Sequence, residues 1–247
     1  MSNGKSESIF LDEVFETYTV RESSQTRVLR ELSFRIISPY LKQGQGLELG
    51  CSDGLFTEFL SKKINNVDVV DGSKKFLELA KARNLPNVNY IYSLFEEFQS
   101  NKKYDYIFAN FILEHVNNPN DIYSIVKKYL KPSGLLFLIV PNANAFSRQM
   151  AVHMGILKSL KELTKNDINH GHRRVYDRVD LNREIERSGL ISISQGGILF
   201  KILADFQLDQ LFDNEMLKQE QIDALYKLGL EYPDFAGSIF SICKHSN

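Results

Sequence analysis

The sequence predicts an α/β fold in which helices flank a doubly wound, mostly parallel sheet. Three observations predict it. From Gly46 onward, short apolar runs alternate five times with amphipathic segments, which is the pattern of strand–helix units with right-handed crossovers. Residues 135–140 (LLFLIV) are apolar throughout, as in a central strand buried on both faces. Glycines follow the first apolar run directly, as at a tight strand-to-helix turn.

Local signals then place each element in order. Ser23 or Ser24 caps a first helix toward Pro39, Ser73 caps the helix after the second strand, and Pro119 opens the helix after the fourth. The predicted strands are 47–49, 66–71, 88–92, 104–109, 135–140, 191–195 and 238–244. The other predicted helices are 55–64 and 178–188.

We expect one domain over residues 1–247, with residues 1–43 as an N-terminal helical cap. Residues 142–177 and 203–235 interrupt the alternation and are too long for plain connections. The sequence therefore predicts that these two segments are helical insertions that cap a substrate site.

Composition excludes several classes of function. The net charge of −1 gives no basic field for nucleic acid or for an anionic membrane. No apolar run approaches the ~18 residues that a membrane span needs. The N-terminal stretch is polar and acidic, without a secretory apolar region, and two cysteines give neither a disulfide framework nor zinc spacing. We expect a cytoplasmic protein that binds a small molecule.

The loop after the first strand indicates the ligand. Gly50 and Gly54 enclose three residues, without the third glycine of a dinucleotide site or the Lys-Ser/Thr pair of a triphosphate site. Glu48 puts a negative charge before the loop, which suits a cationic group better than a phosphate. Asp71 ends the second strand, where a carboxylate can accept hydrogen bonds from ribose hydroxyls. An adenosine that carries an amino acid fits this combination, which favours S-adenosylmethionine.

A family resemblance supports this interpretation. LELGCSDG, VDVVDGS, YIYSLFEEF, YDYIFANFILEHVNNP and KPSGLLFLIVPN follow one another over about residues 45–142. In order and spacing they resemble the class I S-adenosylmethionine-dependent methyltransferases, especially those similar to the ubiquinone-biosynthesis O-methyltransferases. The resemblance implies a seven-stranded, Rossmann-like sheet with an antiparallel last strand. It also implies S-adenosylmethionine as the cofactor and S-adenosylhomocysteine as the product.

The resemblance also implies cofactor contacts by position. The contacts to the methionine and ribose parts of the cofactor would come from Glu48, Gly50, Cys51, Ser52, Gly54, Asp71 and Gly72. Those to the adenine would come from Leu94 and Phe95, and those to the sulfonium from Asn110 and Phe111. Arg27 stands about as far before the glycine loop as the arginine with which the family binds the methionine carboxylate. Arg21 and Arg30 are the alternatives for this role.

Two positions depart from the family. Ser52 stands where the middle glycine of the loop is usual, which is tolerable if its φ is negative. Leu94 stands where an acid usually bonds the adenine amino group. Stacking and backbone contacts would then recognise the adenine.

The catalytic candidates follow the fourth strand and lie in the first insertion. His115 is either a general base or a residue that shapes the pocket, and His172 and Tyr176 are candidates for substrate contact or proton removal. Arg173 and Arg174 bind an anionic substrate or belong to a solvated loop. The histidines of this insertion lack a third ligand at an evident spacing, so we predict no metal site.

The sequence thus predicts methyl transfer to an oxygen or nitrogen of a small metabolite. The two arginines suggest an acidic or phosphorylated one, such as an intermediate of surface-polysaccharide or glycan assembly. A nicotinamide-dependent oxidoreductase and a non-catalytic cofactor-binding or scaffold protein are the alternatives. Asn110 is not followed by the N/D-P-P-Y/F motif of nucleic-acid methylation, and the sequence leaves the oligomeric state open.

Overall fold

The computed structural model describes residues 3–19 and 23–246 and contains one seven-stranded sheet. The strands are β1 Gln45–Leu49, β2 Asn66–Asp71, β3 Val88–Tyr92, β4 Tyr104–Asn110, β5 Leu130–Pro141, β6 Leu190–Phe200 and β7 Ala236–His245. The helices are α1 Asn3–Thr19, α2 Ser24–Ile37, α3 Leu55–Ser61, α4 Lys74–Lys81, α5 Pro119–Tyr129, α6 Phe146–His153, α7 Lys165–Asn169, α8 Arg178–Arg187, α9 Asp205–Asp213 and α10 Gln219–Glu231.

The strand order is β3-β2-β1-β4-β5-β7-β6. β1 pairs in parallel with both β2 and β4, so the chain reverses its direction of travel across the sheet beside β1. β7 pairs antiparallel with β5 and β6, and the other described pairs are parallel. The predicted doubly wound sheet with an antiparallel last strand is confirmed. Ligands of such sheets bind beyond the carboxyl ends of the strands, at the reversal.

Short-range signals set the helix starts that the sequence predicts. The side chains of Ser23 and Ser73 each accept a hydrogen bond from a backbone N–H three residues on, and Asn118 caps the helix that Pro119 opens. The core fills both faces of the sheet. At its centre, Phe108 and Phe137 stack with ring centroids 5.1 Å apart.

β6 is longer than the predicted strand 191–195. Gly196 and Gly197 interrupt the strand pattern in the sequence, yet they pair with Phe240 and Ile239 of β7. A side chain at Gly196 would meet the Phe240 ring at 2.6 Å, so the glycine allows this close contact.

The two predicted insertions differ in their surroundings. Residues 142–177 contain α6 and α7, and they border the carboxyl end of β4 through Arg173 and Arg174. Residues 203–235 contain α9 and α10. α10 packs on β6, where Gly229 touches the Leu199 backbone, and Tyr226 joins the buried core. Within the described residues, no helix is both long and apolar enough to span a membrane.

Candidate active site

The loop between β1 and α3 has a left-handed backbone at three of its five residues. Gly50 and Gly54 have φ of +75° and +76°, and Ser52 has φ of +47°. The Gly50 N–H donates to the Val70 carbonyl at 2.8 Å, which ties the loop to β2. The condition under which a serine would be tolerated at position 52, a negative φ, is therefore not met. A non-glycine residue in this region stores strain, which commonly marks functional loops.

Asp71 joins this loop to the end of β2. Its carboxylate accepts from the Cys51 N–H at 3.0 Å and from the Ser73 N–H at 2.8 Å. Burial raises the pKa of Asp71, and the hydrogen bonds to Ser73 and Cys51 oppose that rise. Each carboxylate oxygen has more than one acceptor site, so these bonds orient the group and leave it able to accept ribose hydroxyls.

Glu48 lies beneath the loop with only 3% of its surface exposed. Its Oε2 is buried and has no hydrogen-bond partner among the described residues. Burial raises the pKa of Glu48 to about 8. An unpartnered buried carboxylate oxygen is costly, and a cationic ligand group would satisfy it.

The arginine that reaches the loop is Arg30. Its guanidinium donates to Asp53 at 2.5 Å and to the Ser52 hydroxyl at 3.0 Å. Arg27, the residue predicted for this role, is instead exposed and pairs with Glu31 one helical turn away. Arg21 lies outside the described residues. Of the arginines that the sequence offered, the structure therefore favours the alternative Arg30, which α2 turns toward the loop, and the contact with the methionine carboxylate stays a prediction.

The predicted adenine side is closely packed under α1. A Cβ on Gly72 would lie 2.7 Å from Leu11 and 2.9 Å from Leu94. The Ser73 hydroxyl also donates to Asp12 at 3.0 Å. α1 therefore covers the end of β2 beside Asp71, the residue predicted to bind the ribose. Phe95 lies 4.0 Å from the position that a Cβ on Gly50 would take, so it borders the loop, and its contact with the adenine stays a prediction.

Asn110 and Phe111 lie at the carboxyl end of β4. Both polar atoms of the Asn110 amide are buried and have no partner among the described residues. Phe111 has φ of +58°, and its N–H donates to the Ile139 carbonyl at 2.7 Å. The next residue, Ile112, packs on Gly50. The unpartnered amide beside this strained turn fits a site that a polar ligand completes.

A cluster of three chemically active side chains lies one turn further on. We call Glu114, His115 and His172 the acceptor-side cluster. One nitrogen or oxygen of each lies within 4.8 Å of those of the other two. The His115 and His172 rings meet edge to face with centroids 4.7 Å apart. The structure thus brings His172 to the Glu-His pair that follows β4.

Their surroundings give the three residues different protonation behaviour. Burial, together with the neighbouring His172, lowers the pKa of His115 to about 3. Burial raises the pKa of Glu114 to about 7. Burial alone would lower the pKa of His172, but the hydrogen bond to Asp167 and the charge of Glu114 outweigh it and raise the pKa.

Arg173 and Arg174 hold backbone rather than lying free to bind an anion. Arg173 Nε donates to the His115 carbonyl at 2.6 Å, and Arg174 donates to the carbonyls of Leu113 and Asn117 at 2.7 and 2.9 Å. The remaining contacts of Arg173 include Glu7 of α1 at 2.8 Å. The two arginines clamp the turn that carries Glu114 and His115, which does not support the predicted anion site.

Tyr176 lies in the core rather than at the site. It is 2% exposed, and its hydroxyl lies 3.2 Å from both carboxylate oxygens of Glu184. Burial and the charge of Glu184 raise the pKa of Tyr176 above its ordinary value. The candidate role of Tyr176 in substrate contact or proton removal stays a prediction, and this buried position beside Glu184 does not support it.

Asp167 is the site residue that the sequence interpretation missed. It accepts from His172 Nδ1 at 3.2 Å and from Arg148 at 3.0 Å, and it forms a capping box with Thr164 at the start of α7. The T-x-x-D spacing signals a helix start. It does not signal that the same carboxylate supports a histidine.

Comparison with known proteins identifies the family to which these features belong. A family model described as a methyltransferase domain matches residues 21–195, well over half of the chain. That match does not support the alternative of a nicotinamide-dependent oxidoreductase.

Two curated relatives show how far the sequence likeness extends. A ubiquinone biosynthesis O-methyltransferase of Rickettsia conorii is 29% identical over 130 residues, covering 50% of this chain and 45% of the relative. A malonyl-(acyl-carrier protein) O-methyltransferase 2 of Ilyobacter polytropus is 33% identical over 94 residues, covering 36% of each chain. This chain thus spans less than half the length of either relative.

Two solved structures share the fold. The DhpI–SAH complex has a TM-score of 0.61 at 14% identity and covers 100% of this chain and 99% of its own. The N-methyltransferase NodS of Bradyrhizobium japonicum, in complex with S-adenosyl-L-homocysteine, has a TM-score of 0.58 at 12% identity and covers 93% and 92%. At these identities, the likeness is one of fold.

Proposed function

Because the chain belongs to this methyltransferase-domain family, within the class I S-adenosylmethionine-dependent enzymes, we propose that it transfers a methyl group to a hydroxyl oxygen of a small molecule. The observation that carries the proposal is the acceptor-side cluster, one turn beyond the unpartnered Asn110 amide. A hydroxyl must lose its proton as it accepts a methyl group, and this cluster offers groups that can take it.

The residues present fit the cofactor. Unpartnered polar atoms of Glu48 and Asn110 lie on neighbouring strands, β1 and β4, at their carboxyl ends. Asp71 stands at the end of β2 for the ribose, and Arg30 orders the loop between them. When bound, S-adenosylmethionine supplies an electrophilic methyl group on a positively charged sulfur.

The chain itself orients the acceptor and handles its proton. With the cofactor bound, the oxygen–methyl bond would form as the sulfur–methyl bond breaks, and the electron pair of that bond would stay on the sulfur of the product S-adenosylhomocysteine. The proton of the hydroxyl passes to the acceptor-side cluster, where Asp167 fixes the orientation of His172. Positioning of acceptor and donor accounts for much of the acceleration.

The acceptor itself is proposed only by class. The expectation of an acidic or phosphorylated acceptor, such as a glycan intermediate, depended on Arg173 and Arg174, which bind backbone carbonyls. The proposal therefore keeps the hydroxyl and leaves out the anionic group. The names of the two relatives, both O-methyltransferases, support oxygen as the acceptor.

The test is methyl transfer from labelled S-adenosylmethionine into a panel of phenols, hydroxy acids and amines, with products identified by mass. We expect O-methylated products and a large loss of turnover in Asn110→Ala. Asn120→Ala, at an exposed position of α5, is the matched control and keeps full turnover. Transfer only to amines would contradict the proposal. Cofactor binding with no methyl transfer to any compound would favour the non-catalytic alternative.

A further inference from the structure

The glycine loop, residues 50–54, is held from outside by two arginines that meet at one carboxylate. Arg30 of α2 donates to one oxygen of Asp53 at 2.5 Å, and Arg83, just after α4, donates to the other at 3.3 Å. Arg83 Nε also donates to the Asp53 carbonyl at 2.6 Å. We call these three residues the loop clamp. We propose that Asp53 and Arg83 act with Arg30 as positioning residues, which hold the loop in the conformation that binds S-adenosylmethionine.

The loop needs such restraint because its backbone is strained. Ser52 has φ of +47°, in a region that a residue with a Cβ seldom adopts. Such a conformation persists only where the surrounding structure over-determines it. The Ser52 hydroxyl accepts from Arg30 at 3.0 Å, and the next residue, Asp53, carries the two ion pairs. The loop clamp therefore acts at the strained residue and immediately after it.

The carboxylate of Asp53 is fixed by donors from three parts of the fold. Besides the two guanidinium groups, the Leu55 N–H at the start of α3 donates to it at 3.1 Å. The side chains of Asp53 and Arg30 are only 20% and 16% exposed, so salt screens this pair less than it screens a pair on the open surface. Any rotation of Asp53 therefore breaks several of these bonds.

Arg83 reaches the loop because the end of α4 packs directly on it. A Cβ on Gly54 would lie 2.9 Å from Ala80 and 3.1 Å from Cδ of Arg83, so the glycine permits this approach. A further nitrogen of the guanidinium donates to Glu58 of α3 at 2.8 Å. One planar group thus connects the loop with the helix that follows it and with α4.

The clamp matters for binding because the loop positions groups of the cofactor site. Its Cys51 N–H donates to Asp71, the residue predicted to bind the ribose. If the loop without its clamp kept the binding conformation in only about a tenth of the molecules, the apparent affinity for the cofactor would fall about tenfold. This step rests on the cofactor of the proposed function and not on its acceptor, so it holds for transfer to oxygen and to nitrogen alike.

The experiment measures the affinity of full-length variants for S-adenosylhomocysteine by calorimetry, at a temperature where denaturation curves show each variant to be folded. Arg83→Met keeps an apolar stem against Gly54 and removes the guanidinium, and it should bind about tenfold more weakly. Arg83→Lys keeps the charge and should recover to within about threefold of wild type. Asp53→Asn keeps the shape and removes the charge between the arginines, so it tests the clamp with the packing of Arg83 intact.

Hydrogen exchange followed by mass spectrometry tests positioning directly. Without ligand, the amides of residues 51–55 should exchange faster in Arg83→Met than in wild type, and saturating S-adenosylhomocysteine should remove the difference. The double variant Asp53→Asn/Arg83→Met should lose less affinity than the product of the two single losses, because both changes act on one clamp.

Arg35→Met is the matched control. Arg35 also lies on α2, but it pairs with Asp223 of α10 at 2.6 Å, so its replacement should leave affinity and loop exchange as in wild type. Unchanged affinity in both Arg83→Met and Asp53→Asn, or equal losses in Arg83→Met and Arg35→Met, would overturn the proposal. Weaker binding with unchanged loop exchange, or losses that simply multiply in the double variant, would also overturn it.

Discussion

Asp71→Asn tests the ribose assignment most directly. The carboxylate of Asp71 accepts from two backbone N–H groups, of Cys51 and Ser73, at 3.0 and 2.8 Å. Asparagine keeps the shape but has one acceptor oxygen, so its NH₂ group must face one of these donors. A buried donor without its acceptor costs about 1–3 kcal/mol. We therefore expect a moderate loss of stability that leaves the protein folded.

The loss of cofactor affinity should be separate from this loss of stability. A hydrogen bond to a charged group contributes about 1.5–3 kcal/mol, and a ribose diol would lose at least one such bond. A loss of about 2 kcal/mol weakens S-adenosylhomocysteine binding roughly 30-fold. Isothermal titration calorimetry measures this affinity at a temperature where denaturation curves show the variant to be folded.

Asp68→Asn provides the matched control. Asp68 lies on the same strand and is also buried, at 4% exposed, and it accepts from Tyr104 at 2.8 Å and from Lys102. It lies three residues from Asp71, toward the opposite end of β2. We expect Asp68→Asn to destabilise the fold while its affinity stays within twofold of wild type. Equal losses of affinity in the two variants, or no loss in Asp71→Asn, would refute the ribose assignment.

Three further predictions concern the loop. The pKa of Glu48 is about 8 in the folded state against 4.5 ordinarily, so between these values the folded state keeps a proton that the unfolded chain has released. The wild type therefore loses stability as the pH rises from about 5 to about 8, and Glu48→Gln should gain stability relative to it over that range. Urea denaturation measures this difference, and a difference that stays constant with pH would contradict the prediction. Arg30→Ala should weaken S-adenosylhomocysteine binding about tenfold in calorimetry, whereas exposed Arg27→Ala should not. Ser52→Ala keeps the left-handed strain and loses the Arg30 bond, so it should destabilise the free protein by about 1 kcal/mol, while Ser52→Gly should be nearly neutral by thermal denaturation.

Much of the cofactor side was predictable because its determinants are local in sequence. The apolar run of β1, the glycines after it and the acid at the end of β2 are each short-range signals, and parallel pairing of β1 with β2 brings Leu49 beside Val70. The turn at Gly50 and the carboxylate of Asp71 therefore had to meet. The positive φ at Ser52 was not evident from the sequence, because the contact of the Ser52 hydroxyl with Arg30 involves a residue of α2.

The choice between Arg27 and Arg30 was not evident for a different reason. Arg27 and Arg30 lie three residues apart on one helix, so they point in directions that differ by about 60°. Distance along the sequence cannot separate them. The rotation of α2 is set by its buried face, which includes Leu32 and Ile36, and that packing exposes Arg27 and turns Arg30 to Asp53.

The acceptor side could not be predicted because its contacts are between distant segments. His172 meets Glu114 and His115 only after residues 142–177 fold back on the end of β4. The partners of Arg174 are backbone carbonyls, which carry no signature in the sequence. Guanidinium groups near histidines suggested an anion site, whereas the structure uses them to hold a turn.

α1 connects the two sides. Near the middle of α1, Leu11 covers Gly72, and Asp12 accepts a hydrogen bond from Ser73 beside Asp71, the residue predicted to bind the ribose. Phe10, the residue before Leu11, stacks under Arg173 at 4.7 Å, and Glu7, about one turn earlier, pairs with the same guanidinium, which holds the His115 carbonyl. A single helix thus contacts Gly72 and Ser73 beside the glycine loop and also Arg173, which holds the turn of the acceptor-side cluster. A displacement of α1 as a rigid unit would therefore break contacts on both sides.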